Sequence, residues 1–160
     1  MKMKKIPVNA RKALAEGNIL EANRLIGDSY SIQGTVVKGN QLGRTLGFPT
    51  ANLKLKEVSP LFLANGVYAV KIKYEKNSYD GMLNIGIRPT LEQHELTIEV
   101  NLFDFKDDLY GQELTLFFVD RIRDEMKFPN LETLKHQISL DKQQIIELFS
   151  KRNQSNPNTK

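Results

Sequence analysis

Three glycines, one arginine and two neutral oxygen donors fall within fourteen residues in the run Gly39-Asn-Gln-Leu-Gly43-Arg44-Thr-Leu-Gly47-Phe48-Pro49-Thr50-Ala-Asn52. Those residue types outline a site for phosphate and a metal ion. Glycine lets backbone N–H groups come close to phosphate oxygens, and an arginine makes forked, charge-assisted hydrogen bonds to them. Thr hydroxyl and Asn carbonyl oxygens suit a hard Mg²⁺ ion. Thr50 and Asn52 are two residues apart, so on an extended chain both side chains emerge on one face and can converge on one cation. The run is not a Walker loop, because no Gly-Lys-Ser/Thr follows the glycines. Spacing alone favours a solvated turn between strands, with Thr50 and Asn52 bonded to turn backbone and Arg44 a loop cation.

Phosphoryl transfer to an alcohol also needs a group that accepts the hydroxyl proton. Glu99 is the best candidate. Leu96, Ile98, Val100 and Leu102 alternate with Thr97, Glu99 and Asn101, so Glu99 projects to the face opposite the apolar row and can reach a site without entering the core. By pattern alone an ordinary outward-facing glutamate is the favoured reading.

Further motifs lie downstream in a fixed order: G-V-Y-A from Gly66, N-I-G-x-R-P-T from Asn84, I-E-V-N-L-F-D-F from Ile98, D-L-Y-G from Asp108 and R-x-E-x-K-F from Arg123. Together with the glycine run they resemble riboflavin kinase, the C-terminal module of bacterial bifunctional riboflavin kinase/FAD synthetases, over Tyr30 to Arg152. The stretch Arg11 to Gly27 resembles the segment that follows the adenylyltransferase domain in those enzymes, and the domain itself is not matched. Where the family has Ser-Ser-Thr-x-Ile-Arg, this chain has Lys5-Ile-Pro-Val-Asn-Ala10-Arg11, and only the arginine corresponds.

The resemblance implies an ATP- and Mg²⁺-dependent kinase that converts riboflavin to FMN, with ADP released and no FAD synthesis. It makes Glu99 the catalytic base and Thr50 and Asn52 the ligands of Mg·ATP. Arg44 falls near the phosphates, and Gly39, Leu102, Asp104 and Tyr110 fall around the nucleotide. Arg123, Lys127, Phe128, Leu131 and Glu132 fall on the flavin pocket. Packing offers a competing account of several: Leu102 as plain core, Phe128 and Leu131 as the seat of a docking helix, and Arg123 with Glu125 as a surface pair. Many members have His where this chain has Asn101. A barrel that keeps flavin or nucleotide binding without turnover is the alternative reading, opposed by the joint presence of Glu99, Thr50 and Asn52.

These residues must be held by strands. Tyr68, Val70, Ile72 and Tyr74 alternate with Lys71 and Lys73, as in Leu96 to Leu102, and both read as half-buried strands. Tyr30 to Lys38, Tyr79 to Ile85 and Glu113 to Val119 add more, and the short turns between them favour an antiparallel barrel over a parallel sheet. The family has a closed six-stranded barrel. Residues 1–29 read as a helical connecting segment: Met1 to Val8 loose, a short helix over Ala10 to Glu16, and a second helix capped by Asn18 with Glu21 and ended by Gly27. Leu131, Leu134, Ile138, Ile145, Leu148 and Phe149 have helical spacing with a break expected near Ser139 to Asp141. The barrel and this helix make up residues 30–152. The polar tail, residues 153–160, is expected to be disordered.

Composition bounds the rest. At 160 residues the chain fits one ordinary domain, and a net charge of +4 favours small anions without approaching a dedicated nucleic-acid binder. The aromatic and basic stripes of a single-strand-binding barrel are missing from the sequence, so no nucleic-acid partner is expected. Zero cysteines exclude disulfides and thiolate chemistry. No apolar run is long enough for a membrane span or signal core, and a cytoplasmic location is the expectation.

Overall fold

Residues 6–38, 50–56, 63–89 and 94–155 are described by the computed structural model. Helices α1 (Val8–Ala15) and α2 (Ile19–Ile26) precede strands β1 (Ser31–Val37), β2 (Ala51–Leu55), β3 (Gly66–Tyr74), β4 (Asn77–Pro89), β5 (His94–Leu102) and β6 (Glu113–Arg123), and helix α3 (Leu131–Ser155) follows. The strands close into an antiparallel barrel in the order β1-β2-β5-β4-β3-β6, with β6 returning to β1. Period-two alternation explains the closure: Ile32, Val36, Leu53, Val70, Ile72, Leu83, Ile85, Val100, Leu116 and Phe118 are buried in one inner cluster.

The wall is also covered on part of its outside. Val67, Ala69, Met82, Phe103 and Val119 pack with Ile145 and Phe149 of α3 in a second buried cluster. The first half of β3 is therefore buried on both faces, where its sequence reads as half-buried. Lys71 lies 4.7 Å from the Phe149 ring centroid and Lys142 lies 5.3 Å from that of Phe103, so long cationic side chains line the helix seam with their stems.

The N-terminal helices are part of the same core. Leu14, Ile19 and Ala22 bury with Tyr30, Tyr68 and Phe118 of the barrel. Phe118 is held between Tyr30 at 5.7 Å and Tyr68 at 5.2 Å. Asn23 spans the junction, its amide donating to the Phe118 carbonyl at 2.9 Å and its oxygen accepting from the Tyr30 N–H at 2.8 Å. Asn18 caps α2 by accepting from Glu21 N–H at 3.2 Å, as its sequence predicts, and Gly27 ends the helix at φ 81°. Glu21 does not complete the reciprocal cap, because its carboxylate pairs with Arg24. The helix α1 starts at Val8, inside the segment expected to be loose; residues 1–5 lie outside the described residues.

Helix α3 is continuous through Ser139 to Asp141, where a break was expected, and it runs to Ser155 rather than ending at residue 152. The gap in apolar spacing has a physical cause: Asp141 occupies a core-facing position and is 1% exposed. Arg123 of β6 satisfies it, with Nε donating to both carboxylate oxygens at 3.0 Å and Nη2 at 2.9 Å from Oδ2. Gln137 adds a further donor at 2.9 Å.

Candidate active site

The strand β2 is short and escaped the alternation analysis as a strand of its own, yet it decides the site. It pairs with β1 over Asn52 to Leu55, and with β5 only at Ala51↔Val100 and Asn52↔Glu99. Residues opposite one another in such a pair project to the same face with Cβ atoms about 4.5–5.5 Å apart. Asn52, expected to hold a metal, and Glu99, expected to accept a proton, are thus neighbours although 47 positions separate them in the chain. Glu99 is half-buried on the face opposite buried Ile98 and Val100, as the alternation predicts.

A cleft of about 490 Å³ opens beside this pair, between the end of β1, the start of β2, the end of β5 and the connection that follows. Its floor is apolar, from Val36, Ala51, Val100 and Leu102, and its rim carries Lys38, Thr50, Asn52, Lys106, Asp107, Asp108 and Tyr110. An apolar floor under a polar, partly charged rim suits a heteroaromatic ring joined to a charged tail. Of the residues expected around a nucleotide, Thr50, Asn52, Leu102 and Tyr110 line the cleft together. Leu102 lines the cleft and is also, at 8% exposed, part of the inner core. Asp104 stands outside the cleft lining, exposed and at φ 59° in the turn after β5. Gly39 and Arg44 lie outside the described residues. Glu99 does not line the cleft; it stands beside Asn52, which does.

The connection from Phe103 to Gln112 is fixed by its own contacts. Phe105 packs edge-on against Tyr79 at 5.2 Å and Tyr74 at 6.2 Å, and burial there pushes the Tyr74 phenol above its ordinary pKa, with Glu75 adding to the shift. Asp108 accepts from the Tyr110 N–H at 2.9 Å, and the Gly111 N–H donates to the Val36 carbonyl at 2.9 Å. Those bonds stand Tyr110 at the rim, 54% exposed, with the Lys38 ammonium 5.4 Å from its ring. Lys38 was missed by the sequence reading; its position next to the glycine run was the available signal.

On the far side, Asp124 to Asn130 joins β6 to α3. Phe128 is half-buried with the Arg123 guanidinium 5.8 Å from its ring, while Lys127 and Glu132 are exposed and Leu131 is 52% exposed. Leu131 is therefore not the docking residue of the helix. Arg123 has Asp141, not Glu125, as its ionic partner. Glu125 instead reaches over β4, where its Oε1 would lie 2.5 Å from a Cβ on Gly86.

A metal ion fits this donor set. Thr50 and Asn52 offer neutral oxygens on one wall of the cleft, and no group of three or more His, Cys, Asp or Glu suited to a metal occurs among the described residues. Mg²⁺ keeps several waters and leans on substrate phosphates, so such a ligand pair is sufficient.

Comparisons with known proteins identify the family and the fold. A family model described as Flavokinase, riboflavin kinase, matches residues 26–149. The bifunctional riboflavin kinase/FMN adenylyltransferase of Buchnera aphidicola (subsp. Acyrthosiphon pisum) is 50% identical over 136 residues, covering 83% of this chain and 43% of that protein. The chain thus spans less than half the length of this curated relative. A Trypanosoma brucei riboflavin kinase structure superposes with a TM-score of 0.56 at 27% identity, over 79% of this chain and 83% of the other. A Streptococcus pneumoniae structure described as a macrolide-efflux protein superposes with a TM-score of 0.80 at 38% identity, over 87% of this chain and 46% of the other. No helix among the described residues is long and apolar enough to cross a membrane.

Proposed function

The chain belongs to the riboflavin kinase family, and from that membership we propose that it transfers the γ-phosphoryl group of ATP to the terminal ribityl hydroxyl of riboflavin, giving FMN and ADP. The observation that carries the assignment of roles is the Asn52↔Glu99 pair at the edge of the cleft. It sets a proton acceptor beside a phosphate-side ligand, the juxtaposition that transfer to an alcohol requires. Glu99 takes the proton of the ribityl hydroxyl as its oxygen bonds to the γ-phosphorus. The bond from that phosphorus to the β–γ bridging oxygen breaks, and ADP leaves with that oxygen. Mg²⁺, when bound by Thr50 and Asn52, neutralises charge on the phosphates. The apolar floor and Tyr110 seat the base of the nucleotide, Lys38 and Arg44 attract its phosphates, and Arg123, Lys127, Phe128, Leu131 and Glu132 border the flavin. An ATP-dependent reaction of this kind belongs in the cytoplasm.

Incubated with riboflavin, ATP and Mg²⁺, the 160-residue chain is expected to form FMN, and chelation of the metal is expected to stop it. Supplied with FMN and ATP instead, it should form no FAD, because nothing in these residues resembles an adenylyltransferase site. Chromatographic separation of the flavins decides both points. Enzyme-dependent FAD at a rate near that of FMN would show a second activity in this chain.

Thr50→Ala and Asn52→Ala each remove one contact to a charged ligand, a loss of about 1.5–3 kcal/mol, or roughly 10–100-fold. The expected defect is in kcat/KM for ATP, with riboflavin affinity unchanged and a stronger demand for free Mg²⁺. Parallel loss of riboflavin binding and melting temperature would mean that the two side chains support the barrel instead.

A further inference from the structure

Strand register aligns more than the Asn52↔Glu99 pair. Glu99 is also opposite Asn84 of β4, Asn84 is opposite Val67 of β3, and Val67 is opposite Arg123 of β6. One row of side chains thus crosses the outer wall of the barrel from the metal-side ligand to the arginine of the flavin side. The row is on the outer face because the alternate residues, Leu83 and Ile85 on β4 and Ile98 and Val100 on β5, fill the inner core.

Asn84 holds the place between the two ends. It is half-buried, and its Cβ is about 4.5–5.5 Å from that of Glu99 by the geometry of a direct cross-strand pair. In the next row Gly86 faces Thr97, whose hydroxyl donates to the Gly86 carbonyl at 3.2 Å, and the Glu125 carboxylate reaches over that glycine. A chain lying between this carboxylate and the base passes over Asn84. A carboxamide is both donor and acceptor, which suits a polyol whose hydroxyls are at once donors and acceptors.

We propose that Asn84, the first residue of the N-I-G-x-R-P-T motif, binds the ribityl hydroxyls next to the reacting one and so holds the terminal hydroxyl against Glu99. Asn84 then reads the polyol chain of the substrate, while the loop after β6 reads the flavin ring. The inference rests on the kinase reading given above.

Two flavins separate these roles: riboflavin, and lumiflavin, which has the ring without the ribityl chain. Asn84→Ala is expected to lower kcat/KM for riboflavin about tenfold, the effect of one well-placed hydrogen bond of about 1.4 kcal/mol, with KM for ATP unchanged. Fluorescence titration should show weaker riboflavin binding and unaltered lumiflavin binding, and the latter also reports an intact fold. Equal weakening for both flavins, or a kcat/KM within twofold of the parent chain, would overturn the proposal.

If the parent chain forms no FMN, the kinase reading fails by itself, while the riboflavin and lumiflavin titrations still decide whether Asn84 reads the polyol.

Discussion

Glu99→Gln is expected to lower turnover by about 10²–10⁴, the usual contribution of a general base, while leaving both substrates bound. Glutamine keeps the shape of the side chain and its reach toward a hydroxyl but cannot take a proton at neutral pH. The neighbours argue that the fold will tolerate the change. Glu99 is only half-buried, and Asn52 and Asn84 on either side can hydrogen-bond an amide as readily as a carboxylate. Riboflavin should still titrate by fluorescence with near-parent affinity, and Mg·ATP should still raise the melting temperature. Turnover within a few-fold of the parent would mean that positioning supplies nearly all the acceleration, and the role assigned to Glu99 would be withdrawn.

The second large effect concerns stability. Asp141→Ala leaves the Arg123 guanidinium, 18% exposed, without the carboxylate that is 2% exposed beside it. Removing one partner of a buried pair costs about 3–5 kcal/mol, since the remaining charge stays desolvated. For a domain of this size that corresponds to a fall in melting temperature of about 10 °C. The loss should be much smaller in the double variant Arg123→Met with Asp141→Leu, because a well-packed apolar pair replaces the ion pair at little cost. A single-variant loss below about 1 kcal/mol would show that Arg123 is held mainly by other contacts, such as its 3.0 Å bond to the Asp124 carbonyl. The experiment also bears on the flavin side, because the same arginine begins the loop that borders the proposed pocket. If Asp141 sets the direction of Arg123, riboflavin affinity should fall in the single variant even at temperatures where the chain remains folded.

Much of this molecule was legible from residue order because its information is local. Period-two alternation in Tyr68 to Tyr74 and Leu96 to Leu102 requires strands, and it also puts Glu99 on the face opposite the core, since successive side chains on a strand point to opposite sides. Asn18 and Gly27 mark the ends of α2 through short-range backbone bonding. The motif order from Gly39 to Phe128 was enough to point to the family, two strands followed from periodicity, and three more from the turn signals between them.

Tertiary structure decided whatever depends on register. No local pattern states that Asn52 faces Glu99, or that Asn84 stands on the other side of it; both follow from how barrel closure aligns β2, β5 and β4. The same holds for Asp141. Along the chain it interrupts an apolar spacing and reads as a helix break, but a partner from β6, 18 residues away in sequence, makes a buried carboxylate compatible with a continuous helix. Helical spacing reports which face is buried, and only the packed molecule reports what the buried face meets. That Leu14 and Ile19 join the barrel's core cluster is likewise visible only in the packed molecule, because apolar side chains on a short helix carry no record of the surface they will cover.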